Sequence, residues 1–169
     1  LRLDPGDSTP WWWPTLVGLT TAAVVLTRLD LVTLIALPLA LLLWQCRANL
    51  RVIATGLIAF AAPVLMWFTW SYLTYAALLP NTFAAKTNAA IPRSEFIIQG
   101  LRYLWVSFEN DPVTMLGLIA GIGVGLAMGP PMLRAWAGGA AVYLGYVVWI
   151  GGDFMGGRFL AVPFFVAMF

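Results

Sequence analysis

The sequence predicts an all-α integral membrane protein, a polytopic bundle of about five transmembrane helices plus a truncated sixth, with an amphipathic helix on the outer surface. Three observations carry that prediction. Hydrophobic residues make up 62% of the 169 residues and charged residues only 9%, against about 25% charged in soluble domains. Mean hydropathy is +0.89. The few charges are not scattered: they cut the chain into uncharged apolar blocks of helical length.

The blocks follow in order. Trp11 to Thr27 is uncharged and ends at Arg28 and Asp30; Leu31 to Gln45 is uncharged and ends at Arg47 and Arg51. Both are short for a span, which leaves tilted or re-entrant segments open. Val52 to Ala85 carries no charge, more than the roughly 20 residues that cross a bilayer as a helix. Pro112 to Met132 and Ala135 to Gly152 are two further blocks, and the run beyond Arg158 begins another. Pro38 and Pro63 fall inside segments, which membrane helices tolerate when neighbours satisfy the freed carbonyl. Gly117, Gly121, Gly123 and Gly125 contain a G-x-G, but no strand precedes it and the surroundings are apolar. Close helix packing through small residues is the expected use. Phe96 to Phe108 differs: Gln99, Arg102 and Ser107 interrupt it, and Tyr103 and Trp105 are interfacial types, so it is expected to lie on the membrane surface.

Charge placement predicts orientation. The short connections "QCRANLR" and "PPMLR" hold Arg47, Arg51 and Arg134 with no acid, which marks them as cytoplasmic. Three other connections then face outward: "TRLD" (Thr27 to Asp30), "LPNTFAAKTNAAIPRSE" (Leu79 to Glu95) and "GGDFMGGR" (Gly151 to Arg158). All the mixed-sign charge lies on that side. The expected location is the plasma (inner) membrane, multi-pass, with the active face outward. Without an initiator Met, with three tryptophans near its start and with its last residue inside an apolar run, the chain is expected to be part of a longer protein, truncated at both ends. Residues 1–169 are expected to form part of one transmembrane domain, with no soluble domain in this segment.

Composition excludes several chemistries. Histidine is absent and Cys46 is the single cysteine, so the segment holds no Ser-His-Asp or Cys-His arrangement and no intrachain disulfide. The missing histidines and unclustered carboxylates give no sign of a metal site. A net charge of +2 is too small for a nucleic-acid partner.

Three constellations remain. In "GGDFMGGR", paired glycines flank Asp153 and Arg158 and let the chain fold back to aim an acid and a cation at one spot; the plain alternative is a weak exposed ion pair. In "LPNTFAAK", Pro80 ends a helix, Asn81 or Thr82 can cap a new one, and Thr82 and Lys86 share a face at i, i+4. A capped helix start beside a lysine suits a phosphate at the surface; a snorkelling lysine is the alternative. In "TRLD", Arg28 and Asp30 sit between apolar runs, either as a functional pair or as a loop charge with its own counter-ion. Glu95, Glu109 and Asp111 bracket the surface helix and are expected to sit in solvent.

Together, "TRLD", "LLPNTFAAK" followed by "GLRYL", and "GGDFMGGRFL" resemble the multi-spanning GT-C-type glycosyltransferases of bacteria, nearest to the actinobacterial arabinofuranosyltransferases of cell-wall arabinan. The resemblance covers roughly Thr27 to Pro163, with "GGDFMGGRF" and "LPNTFAAK" its specific parts. It implies a GT-C-like transmembrane domain that moves a sugar, arabinofuranose by the nearest match, from a polyprenyl-phosphate donor to a cell-wall glycan on the outer face. The partners implied are the bilayer, the polyprenyl-phosphate sugar and a glycan acceptor. No cofactor is implied, because the lipid-linked sugar is a substrate. Carried onto this sequence, Asp153 is the candidate catalytic carboxylate, Lys86, Arg158 and Arg28 the donor-phosphate cations, and Asn81 and Asp30 substrate-binding residues. The family often places a catalytic acid in an outer loop nearer its N-terminus, in a part absent here. The competing readings are a transporter or flippase segment for a lipid-linked or anionic substrate, and a non-catalytic membrane scaffold.

Overall fold

A computed structural model describes residues 10–76, 92–152 and 157–168. Among the described residues there are seven α-helices and no strand. They are α1 (Trp13–Thr27), α2 (Val32–Gln45), α3 (Leu50–Tyr75), α4 (Arg93–Asn110), α5 (Pro112–Met128), α6 (Pro131–Trp149) and α7 (Ala161–Ala167), with a 3-10 turn at Leu29–Leu31. The uncharged blocks and the interrupted Phe96 to Phe108 run each correspond to a helix. α3 is long and apolar enough to cross a membrane; α1 and the Leu29–Gln45 stretch are shorter apolar helices. Within the uncharged Val52 to Ala85 block, read as a span with a polar-side extension, the helix ends at Tyr75, where Ala76 adopts a left-handed conformation (φ 52°).

The helix boundaries follow local chemistry. Pro14, Pro112 and Pro131 each lie in the first turn of a helix, where a missing N–H leaves no bond unmade. Asn49 caps α3 by accepting from the Val52 N–H at 3.3 Å, and Asp111 caps α5 by accepting from the Thr114 N–H at 3.0 Å, each satisfying an orphan first-turn donor.

The helices pack as two compact units. The first contains residues 10–32 and 40–76 among those described. Here α1 lies along α3, burying Pro14, Gly18, Ala22 and Val25, a stripe of mostly small side chains spaced by three or four residues. The Gly56 carbonyl occupies the place a Cβ on Gly18 would take, so the two backbones touch where neither residue has a side chain. α3 is otherwise bare: its most apolar stretch has no buried residue, and Leu57, Ile58, Leu65, Met66 and Leu73 are all exposed.

The second unit contains residues 33–39, 92–152 and 157–168 among those described. Its core is α6, whose Ala140, Tyr143 and Val147 are fully buried. α4, α5 and α7 pack around it, and glycines set the approach distances. On α5, Gly117 meets the Phe164 ring, Gly121 the Ala167 carbonyl and Gly125 the Ala137 side chain, whereas Gly123 faces open space. The small-residue packing expected for this run therefore uses Gly117, Gly121 and Gly125, spaced four apart on one face. On α6, Gly139 lies against the Leu34 carbonyl. Pro38, four residues on, has no N–H to give that carbonyl. The glycine lets a neighbouring helix cover the oxygen the proline leaves free. α4 and α5 are joined with a bend of 114°, the turn occurring at Asp111.

Candidate functional site

The connection containing "GGDFMGGR" is described at both ends. Gly151 and Gly152 have φ of +85° and +71°. The Gly152 N–H donates to the Val147 carbonyl at 2.9 Å and the Gly151 N–H to the Val148 carbonyl at 3.2 Å. That is the paired-bond ending of a helix by left-handed residues. A Cβ at Gly151 would meet the Phe96 ring, and one at Gly152 the Tyr103 side chain. Gly157, φ +75°, opens the turn into α7, with its carbonyl accepting from the Leu160 N–H at 2.9 Å. The flanking glycines that sequence reasoning read as freedom to aim a loop thus also end α6 and let α4 come close. The far end is bolted: the Phe159 N–H donates to the Tyr103 hydroxyl at 3.3 Å, and the Phe159 ring packs edge-on to Tyr103 and Tyr143.

This anchored connection forms part of the rim of a groove of about 870 Å³, a volume that suits a small-molecule or headgroup site. Gly151, Gly157, Leu160 and Phe164 line it together with Gln99, Arg102, Tyr103, Ser107, Asn110 and Asp111 of α4 and its cap. Gly100, Tyr103 and Ser107 form the buried face of α4. The Ser107 hydroxyl is buried and has no hydrogen-bond partner among the described residues. Asp111 is held ionised: the Thr114 hydroxyl and then its backbone N–H donate to the carboxylate and push its pKa below the usual range. Asn110 donates to the Val106 carbonyl at 2.9 Å.

Of the residues singled out in the sequence, Arg158 lies in the 157–160 turn, exposed, between groove-lining Gly157 and Leu160. Arg28 and Asp30 belong to the first unit and pair with each other, Nη2 to Oδ2 at 2.5 Å and Nε to Oδ1 at 3.3 Å. A two-point grip of this kind is the strong form of the interaction, and any phosphate bound by Arg28 must compete with it. Asp153, Lys86 and Asn81 lie outside the described residues, as does Thr82. Sequence reasoning set Asp111 aside and read Gln99, Arg102 and Ser107 only as marks of amphipathicity. The signal available for Ser107 was spacing, since 99, 103 and 107 follow one another at i, i+4 along one side of the helix.

Arginine–aromatic stacking marks two helix ends. The Arg47 guanidinium lies 3.9 Å from the Trp44 ring centre in the first unit, and Arg93 lies 4.5 Å from that of Trp149 in the second. Among the described residues no three His, Cys, Asp or Glu side chains come together in a way that could hold a metal ion. No protein family, characterised protein or solved structure matches this chain.

Proposed function

We propose that this chain is part of a membrane-embedded glycosyltransferase that uses a polyprenyl-phosphate sugar, arabinofuranose on the sequence resemblance, and delivers it to a cell-wall glycan at the outer face. The observation that carries the reading is the groove lined by Gly151 and Gly157, which flank the stretch that carries Asp153. A loop with one acid and one cation, tied down at both ends beside a cleft, suits a displacement at an anomeric carbon. A carboxylate takes the acceptor hydroxyl proton while a cation stabilises the leaving phosphate. Asp153 is the carboxylate proposed for the first role, and Arg158, with Lys86, for the second. Arg28 is the third cation of the reading, and Asn81 and Asp30 would bind substrate hydroxyls.

The bilayer part of the proposal rests on surface chemistry. Leucine, isoleucine and methionine side chains stand exposed along α3, more than an aqueous surface tolerates without a partner. The stacked Arg–Trp pairs at helix ends are the combination that collects at membrane interfaces. With α5 upright in the bilayer, the 114° bend lays α4 close to the membrane plane, as its amphipathic sequence requires.

The test is transfer of radiolabelled arabinofuranose from its polyprenyl phosphate to an arabinan acceptor, in membranes holding the whole protein. Asp153→Asn is expected to lower transfer by about a hundredfold or more, the scale of a lost general base, and Arg158→Gln by about tenfold. Wild-type levels in both variants would remove this loop from the site. The bend between α4 and α5 also favours a second reading, since transporters build their sites on broken helices. Labelling at positions 153 and 158 from both sides of the membrane would support that reading over the transferase.

A further inference from the structure

The groove presents an arrangement that neither the loop nor the transfer reaction uses. Arg102 and Asp111 line it together, carry opposite charges, and make no ion pair with each other. Leu160, Phe164 and Phe165 give the same groove an apolar lining.

We infer that this groove holds a zwitterionic phospholipid whose head carries a phosphate and a primary ammonium. The phosphate accepts from the Arg102 guanidinium, the ammonium donates to Asp111, and an acyl chain lies along Phe164 and Phe165. Charge pattern selects this head. A ligand with phosphate alone leaves the ionised Asp111 facing an anion, and a quaternary ammonium has no N–H for that carboxylate. The inference rests on the bilayer part of the proposed function.

The experiment is native mass spectrometry of the detergent-solubilised protein titrated with dioleoyl phosphatidylethanolamine, phosphatidylcholine or phosphatidylglycerol. Retention of the ethanolamine lipid is expected to exceed that of the other two by about tenfold, the effect of a charged hydrogen bond. Asp111→Asn should abolish the preference over phosphatidylcholine while retaining the cap, because Asn also caps helices. Arg102→Gln, at an exposed position, should weaken the ethanolamine lipid several-fold. Equal retention of the three lipids, or preference for phosphatidylglycerol, overturns the proposal. So does displacement of the lipid by soluble phosphoethanolamine at equal concentration, which would make the groove a site for a free metabolite head. Carbonate extraction of the same membranes tests the bilayer reading separately.

Discussion

At the scale of single residues, the informative positions are glycines whose missing side chains are occupied by something else. Gly121 and Gly123 share a helix and a composition, yet the first lies against the Ala167 carbonyl and the second against nothing. Gly121→Ala is therefore expected to destabilise the detergent-solubilised protein by about 1–3 kcal/mol, the usual cost of overpacking. Gly123→Ala should be neutral or stabilise by about 0.5–1 kcal/mol, as alanine favours the helix. Thermal unfolding followed by circular dichroism separates the two. Asp111 gives a pH signature. Its pKa is lowered by the Thr114 hydroxyl and N–H, so its stabilising contribution is present above the ordinary carboxylate range. That contribution is lost as pH falls through the depressed value. Asp111→Asn should flatten this acid limb of the melting temperature, and an unchanged limb would assign it to other carboxylates.

At the scale of elements, hydrophobic blocks and prolines placed the helices well, because a helix start needs only local chemistry. The Gly117–Gly125 stripe was legible too, since spacing by four defines a face. What the sequence left open was which elements pair. Nothing in "TLVGLTTAAVV" announces that Gly18 meets Gly56, and nothing local to α2 says that the carbonyl freed by Pro38 is covered from α6. Such pairings are settled by surface fit between segments distant in sequence. The candidate site was legible in one part, the glycine-flanked loop, and missed in another. Ser107 reads as an ordinary amphipathic-helix residue until burial shows its hydroxyl without a partner. The orientation of α3 can be tested at Cys46, the chain's only cysteine, in the short arginine-bearing connection before it. Burial pushes the Cys46 thiol up, so labelling is run at alkaline pH. An impermeant maleimide is expected to miss Cys46 in intact cells and to reach it after permeabilisation; labelling in intact cells would invert the topology.

At the scale of the whole molecule, two units with glycine-lined interfaces and apolar exteriors are a fold in which backbone proximity does the work that side-chain volume does in a soluble core. This is what the proposed bilayer setting calls for, since between helices in lipid there is little hydrophobic drive and close van der Waals approach takes its place. The expected consequence is that the protein stays with the membrane through alkaline carbonate washing and leaves it only with detergent. Release by carbonate alone would show that the exposed faces of α3 are covered by protein rather than lipid.

The bond from Phe159 to Tyr103 also makes a linkage in the mechanical sense. The tyrosine is rooted in the helix that bears Arg102, Ser107 and Gln99, and its ring touches the backbone at Gly152 while its hydroxyl holds the backbone at Phe159. One side chain thus grips the connection before and after the stretch that carries Asp153. Any roll of α4 about its own axis must therefore pull on Gly152 and Phe159 together. Replacing Tyr103 by phenylalanine would remove the hydroxyl's hold on Phe159 and leave the ring's contact at Gly152 in place.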